Sequence, residues 1–444
     1  MQHYLVTCKN FCIFFKSILL IGLCSLVGTL LLFAVYSLPT KQMHQNVKSS
    51  VLFYQKGGNY PTWAINQTST RLDNWSDSIM LLSAIQPVSS IAKDAMSIPY
   101  ARYKGCSPTQ SLINFMTAKK GSSVREYSRY WHGYLVIMKP LLFMLPLSCI
   151  RLLNMYAQLL LAFYLFSLFY NEFGFKYAFV FFLSYLILNP VSLILSFQYS
   201  TVFYISVLSV IILLKTLKTR EKLRKYNTGY MFLFFGIITS FFDLLSYPLL
   251  SLSFPLLTLL LLLKKHVKTI SINSVIEVLT VNSAFWGFGY VGMYFSKWVV
   301  ASLITGNNLV LKGIGAAFSR MSSHLNNGQV VTVLDAIARI NRVILKDPSL
   351  IVFLAGILAF VYLSYKMKDS IISDNTKALC VGFSSIAIFP FIWFSVFFNH
   401  TYVHFWFTYR NLAVTVFSLG CLFLILYEES QKDVSGISIN IDEE

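Results

Sequence analysis

Two aspartates stand four residues apart in the stretch LDNWSDSIM at 72–80, Asp73 and Asp77. A helix there would put both carboxylates on one face, where they could take a proton from a hydroxyl or hold a cation. The same residues suit a plainer task, since Asp73 or Asn74 could cap a helix whose apolar residues are Ile79, Met80, Leu81 and Leu82. A third acid, Asp243, lies in SFFDLLSYP at 240–248. A carboxylate at membrane depth costs on the order of a few kcal/mol and normally has a partner or a function. At a turn clear of the hydrocarbon, Asp243 would instead cap the helix that begins near Ser246 and Pro248.

Around these acids the sequence offers groups that could bind a sugar or a phosphate. Arg129, Tyr130, Trp131, His132, Gly133 and Tyr134 are consecutive, and such rings and cations can stack on a sugar and neutralise an anion. Gln198, near Asn189, Pro190 and Tyr199, could bind a sugar hydroxyl or hydrogen-bond a neighbouring helix. His400, His404 and Arg410 lie among Tyr402, Phe405, Trp406 and Tyr409. An interfacial aromatic belt accounts for the rings, whereas the guanidinium fork of Arg410 matches a phosphate, in a phospholipid or in a lipid-linked diphosphate. No Walker loop, HExxH, GxSxG or EF-hand pattern occurs, so the sequence implies no cofactor; a divalent cation stays open.

The elements that must position these residues follow from composition. Of 444 residues, 56% are apolar and only 12% charged, far from the quarter-charged make-up of soluble domains. Repeated apolar runs near bilayer length, without strict alternation, predict an all-α polytopic bundle rather than a membrane β-barrel. The net charge of +18 belongs at lipid headgroups in such a protein and does not point to nucleic acid. Seven cysteines with no CxxC pair, of which only Cys106 is expected deep in an external loop, give neither a disulfide framework nor a zinc site.

Basic residues set the expected topology. Lys9 and Lys16 place residues 1–37, with the first membrane helix, starting in the cytoplasm. Residues 38–133 then form a large external loop; its eleven basic and four acidic residues do not oppose this, because long loops cross regardless of charge. The strongest cytoplasmic marker is KTLKTREKLRKYNT between Leu214 and Gly229. For it to face inward, one of the runs 134–150, 152–170, 176–190 and 191–214 must not cross. Run 134–150, which holds Lys139, Pro140 and Pro146, is assigned to dip into the outer leaflet. Further runs at 229–245, 246–263, 276–303, 350–366, 378–398 and 411–427 give about 10–11 membrane helices. The bundle therefore divides into 134–303, an external amphipathic segment 304–349, and a last part 350–428 followed by an acidic cytoplasmic tail 429–444. In the amphipathic segment Val333, Leu334, Ile337, Ile340, Val343 and Ile344 alternate with Arg339, Arg342 and Lys346, as in a helix resting on a bilayer.

In order and spacing, residues 15–260 resemble the C-type (GT-C) membrane glycosyltransferases. The features carrying the resemblance are Asp73 and Asp77 in the first loop, Trp131-His132-Gly133-Tyr134, Ile150-Arg151-Leu152-Leu153, and Leu188-Asn189-Pro190. Two departures are a glycine after His132, where the family has proline, and acids that are not adjacent. The resemblance implies a GT-C-like fold and an enzyme at the external face of a bacterial plasma membrane. Its donor would be a polyprenyl-phosphate sugar and its acceptor a cell-envelope glycan or lipid. Asp73 and Asp77 would be catalytic, with Arg129, His132, Gln198, Asp243, His404 and Arg410 binding substrate. A lipid-linked sugar flippase or transporter and a polysaccharide polymerase are the alternatives. Sidedness is testable first: in a cysteine-free background in intact cells, a membrane-impermeant maleimide should label Ser123→Cys and spare Asn227→Cys, and the reverse pattern would invert the topology.

Overall fold

The computed structural model describes residues 2–219, 221, 223, 228–325, 327–345, 354, 356, 358, 362 and 372–441. Most of the run expected at 350–366, part of the basic stretch between Leu214 and Gly229, and Lys346 fall outside them. The chain is mostly helical. Among the described residues six helices are long and apolar enough to cross a bilayer: Cys12–Tyr36, Leu147–Phe173, Phe197–Thr216, Leu249–His266, Asp374–Val396 and Phe405–Gln431. Such a set defines a multi-pass helical membrane protein. Their outer surfaces carry exposed Leu19, Leu30, Leu160 and Phe163, as contact with lipid tails requires.

Helix Ile272–Thr305 packs along the shorter apolar helix Thr228–Phe242 at unusually close range. A Cβ placed on Gly236 would stand 2.1 Å from the Trp286 carbonyl oxygen, and one on Gly289 would stand 2.2 Å from that of Leu233. Lipid gives helices no hydrophobic drive to associate, so small residues that admit backbone contact take over that role.

Three expected runs differ in detail. Run 134–150 holds the ten-residue helix Leu135–Met144 and the first turn of a second helix. At about 1.5 Å per residue the former reaches roughly half of a hydrocarbon core about 30 Å thick. Helix Leu135–Met144 is followed by extended Leu145 and then Pro146, after which helix Leu147–Phe173 begins. Lys139 on this short helix is buried, donates to the Ala84 carbonyl at 2.8 Å and lies over the Tyr36 ring. Run 191–214 is broken into Pro190–Leu195 and Phe197–Thr216, because Ser196 is extended. Near the end of the chain, helix Leu412–Ile441 continues through much of the stretch read as a separate tail.

Segment 38–133 is folded rather than loop-like. It contains helices Thr40–Lys48, Val51–Gly57, Asn74–Ile85, Ile91–Ser97 and Pro108–Met116. It also holds a two-stranded antiparallel sheet, Pro99–Tyr103 against Ser122–Glu126, a departure from the all-helical expectation. Helix Val333–Leu345 does have one apolar face, with Ala336, Ile340 and Val343 buried. That face packs on helices Phe398–Val403 and Phe405–Thr408 of the same chain, and the Arg339 guanidinium covers the Tyr402 ring at 3.6 Å. Gly236→Ala should therefore lower the thermal unfolding midpoint of the detergent-solubilised protein, with an overpacking cost of about 1–3 kcal/mol. Gly287→Ala, where a Cβ meets nothing within 4 Å, should leave it unchanged; equal effects would refute close backbone packing.

Candidate functional site

The two aspartates belong to one helix and hold two different helix ends. Asp73 is the N-cap of Asn74–Ile85: its carboxylate accepts from the Ser76 N–H at 2.9 Å and from the Ser76 hydroxyl at 3.0 Å. Its own N–H donates to the Ser196 hydroxyl at 3.1 Å. Asp77, one turn on, accepts from the N–H groups of Phe197 at 3.1 Å and Gln198 at 3.2 Å. Those are the first N–H groups of helix Phe197–Thr216, which have no carbonyl partner within the helix. The break at Ser196 thus has a cause in sequence-distant chemistry: a negative group meets the positive end of a membrane helix.

Both carboxylates are almost fully enclosed, with Asp73 2% and Asp77 0% exposed. Burial pushes Asp73 up to about 6, against the lowering influence of its Ser76 hydrogen bonds and of Arg410. Burial likewise pushes Asp77 up to about 7; Arg151 opposes the shift and the Asp73 charge adds to it. Desolvation outweighs the favourable contacts in each case.

Arg410 is fully buried at the edge of this group. Its Nε donates to the Leu188 carbonyl at 2.8 Å and one terminal nitrogen to the Trp406 carbonyl at 3.1 Å. The guanidinium lies 4.1 Å from the centre of the Tyr199 ring, whose phenol is within electrostatic reach of Asp73 and Asp77. Among the described residues several buried polar atoms here have no hydrogen-bond partner: Arg410 Nη2, Arg71 Nε, Gln198 Oε1, Trp406 Nε1 and both side-chain polar atoms of Asn411. Such orphaned groups are few in folded proteins, and they mark places where water or a ligand completes the network. Segments 59–77, 196–199 and 404–411 therefore meet around Asp73, stitched by Tyr409 to the Ser69 carbonyl and by the Tyr60 and Arg71 contacts with Trp406.

The remaining residues singled out from sequence form a second group around Tyr130. Arg129 lies over the Tyr127 and Tyr130 rings. His132 is buried in a left-handed backbone conformation, with Nδ1 2.8 Å from the Tyr134 hydroxyl and Nε2 2.8 Å from the Tyr127 carbonyl. Burial pushes it down to about 3, so the imidazole is neutral. Glycine follows because the Gly133 N–H donates to Phe241 O at 2.8 Å and a Cβ would stand 2.3 Å from the Phe241 ring. Asp243 is buried rather than a surface acid, and it accepts from the Ser246 N–H and hydroxyl. His404 stacks on Phe407 beside His400 and feels the charges of Arg320 and Arg129.

No motif or spacing marked Arg71 or Tyr60, although Arg71 sits two positions before Asp73, and Arg151 stood out only within Ile150-Arg151-Leu152-Leu153. Arg151 donates to the Tyr54 hydroxyl at 2.9 Å, covers the Phe53 ring at 3.9 Å and counters the Asp77 charge. Among the described residues no three His, Cys, Asp or Glu side chains gather as a metal site. A cleft of about 400 Å³ opens on the other face of helix Asn74–Ile85, lined there by Trp75 and Ile79, and neither aspartate lines it. In comparisons with family models, curated proteins and solved structures, nothing matches the chain.

Asp73 and Asp77 both hold their protons more tightly than free carboxyls do. A carboxyl that binds its proton more tightly when folded than when unfolded adds stability at low pH, and loses it as pH climbs toward the folded value. The unfolding midpoint should fall between about pH 4 and pH 7, and Asp77→Asn should flatten that slope. Asp77→Ala, which orphans two buried N–H groups, should cost about 1–3 kcal/mol in urea unfolding. A slope unchanged in Asp77→Asn would show that this carboxylate is not shifted.

Proposed function

We propose that this protein is a membrane glycosyltransferase of the C-type, moving a sugar from a polyprenyl-phosphate donor to a cell-envelope glycan or lipid acceptor. The observation that supports this reading is the enclosed carboxylate of Asp73 amid buried polar atoms without partners, at the meeting of three chain segments. A carboxylate held at about 6 is largely ionised at neutral pH yet basic enough to take a proton in a transition state. The orphaned Arg410 and Arg71 nitrogens supply donors for a phosphate.

In this reading Asp73 removes the proton from an acceptor hydroxyl as that oxygen bonds to the anomeric carbon. The bond from that carbon to the phosphate oxygen breaks with inversion, and the polyprenyl phosphate leaves as an anion facing Arg410 and Arg71. Asp77 positions the Asp73 helix against Phe197 and Gln198. In this reading substrate enters as segment 404–411, whose Trp406 touches Tyr60 and Arg71, moves off segment 59–77. The same reading places the reaction at the external face of the plasma membrane, with both termini in the cytoplasm and about ten crossings.

Transfer measured in membranes with a radiolabelled polyprenyl-phosphate sugar pool should be abolished by Asp73→Asn at unchanged protein level. The wild-type rate should rise with pH through about 6, as the base ionises. Near-normal transfer by Asp73→Asn would remove Asp73 from the mechanism. Donor lipid accumulating on the inner leaflet of a deletion strain, instead of the outer, would favour a flippase.

A further inference from the structure

The 400 Å³ cleft beside helix Asn74–Ile85 is lined by Arg102, Arg125, Arg129 and Lys312, with one acid, Glu126. Sheet register explains the convergence. Tyr100 pairs directly with Arg125 across the two strands, and Arg102 lies two residues along from Tyr100, so all three side chains leave the same face of the sheet. Arg129 adds its charge from the segment that follows, and the Tyr100 phenol feels Arg125, Arg102 and Arg129 together. Lys312 closes the far wall from helix Leu309–Ser319.

Four like charges in one cleft repel, and among the described residues no carboxylate lies within ion-pair distance of any of them. Glu126 lines the cleft without pairing to them. The repulsion is relieved by an anion that several of these cations share. Among the cations the wall also carries aromatic surface, with Trp75 36% exposed and Tyr100 and Tyr127 beside it, above the buried Ile79. An exposed indole next to guanidinium groups suits a ligand that presents both negative charge and C–H faces. The volume lies in the range of small-molecule sites, about 300–1,000 Å³.

We propose that the cleft formed by Arg102, Arg125, Arg129 and Lys312 with Trp75 is a binding site for an anionic saccharide, a sugar chain bearing carboxylate or phosphate groups. This site does not rest on glycosyl transfer and is separate from the buried group around Asp73. It would give the protein selectivity for a charged glycan whatever is done to it.

The test is calorimetric titration of the full chain in a nonionic detergent with trigalacturonate, with maltotriose as a neutral trisaccharide, with inorganic phosphate, and with phosphatidylglycerol vesicles. Trigalacturonate should bind at least tenfold tighter than maltotriose and weaken as sodium chloride rises. The double variant Arg102→Gln/Arg125→Gln should lose at least tenfold in affinity with an unchanged unfolding midpoint, and Trp75→Ala should weaken binding at constant salt dependence. Asp73→Asn should bind trigalacturonate like the wild type, which separates a failure of this site from a failure of the transferase reading. Equal binding of the neutral trisaccharide, no binding of trigalacturonate, or no effect of the double variant would each overturn the proposal. So would phosphate binding as tightly as trigalacturonate, which would mean a simple anion site, or preference for the vesicles, which would mean a lipid headgroup site.

Discussion

The carboxylate of Asp77 accepts two N–H groups from the start of helix Phe197–Thr216, and through that contact segment 38–133 is fastened to the membrane bundle. A membrane helix that begins in the protein interior has donors that water cannot reach, and something must accept from them. A chain-distant carboxylate does so here, so helix Asn74–Ile85 cannot shift without exposing that end. Ser196 completes the joint by accepting from the Asp73 N–H. One turn of helix thus fixes the position of Asp73 and, with it, everything gathered around that side chain.

The two faces of this single helix consequently meet different surroundings. The aspartate face turns inward to Phe197, Gln198 and Arg410, where burial dominates the electrostatics and several polar atoms lack partners among the described residues. The Trp75 and Ile79 face turns outward to a basic cleft. Two buried carboxylates and a cluster of cations are separated by the thickness of one helix. Arg129, which lies over Tyr127 and Tyr130 in the second group, also lines this cleft.

Much of the framework could be read directly. Apolar runs located the long helices, and two prolines with Lys139 marked 134–150 as a run that does not form a crossing-length helix. The four-residue spacing placed Asp73 and Asp77 on one helix, and the amphipathic pattern at 333–344 marked a helix with one buried face. Less could be read of what that face covers, since a stripe of isoleucine and valine packs equally well on lipid or on Tyr402 and its neighbours. The small sheet was missed because two five-residue strands carry little periodic signal, and one of them is wholly exposed.

Local rules of hydropathy and helix capping act over a few residues, so the sequence by itself determined which stretches are apolar helices and which acids could stand together. Whether a carboxylate is enclosed, which distant N–H groups it accepts, and which cations meet in one cleft depend on segments more than a hundred positions apart. Asp77 with Phe197, Arg410 with Leu188 and Gly133 with Phe241 are such cases. Burial and hydrogen-bond partners are properties of packing, and only the tertiary structure decided them.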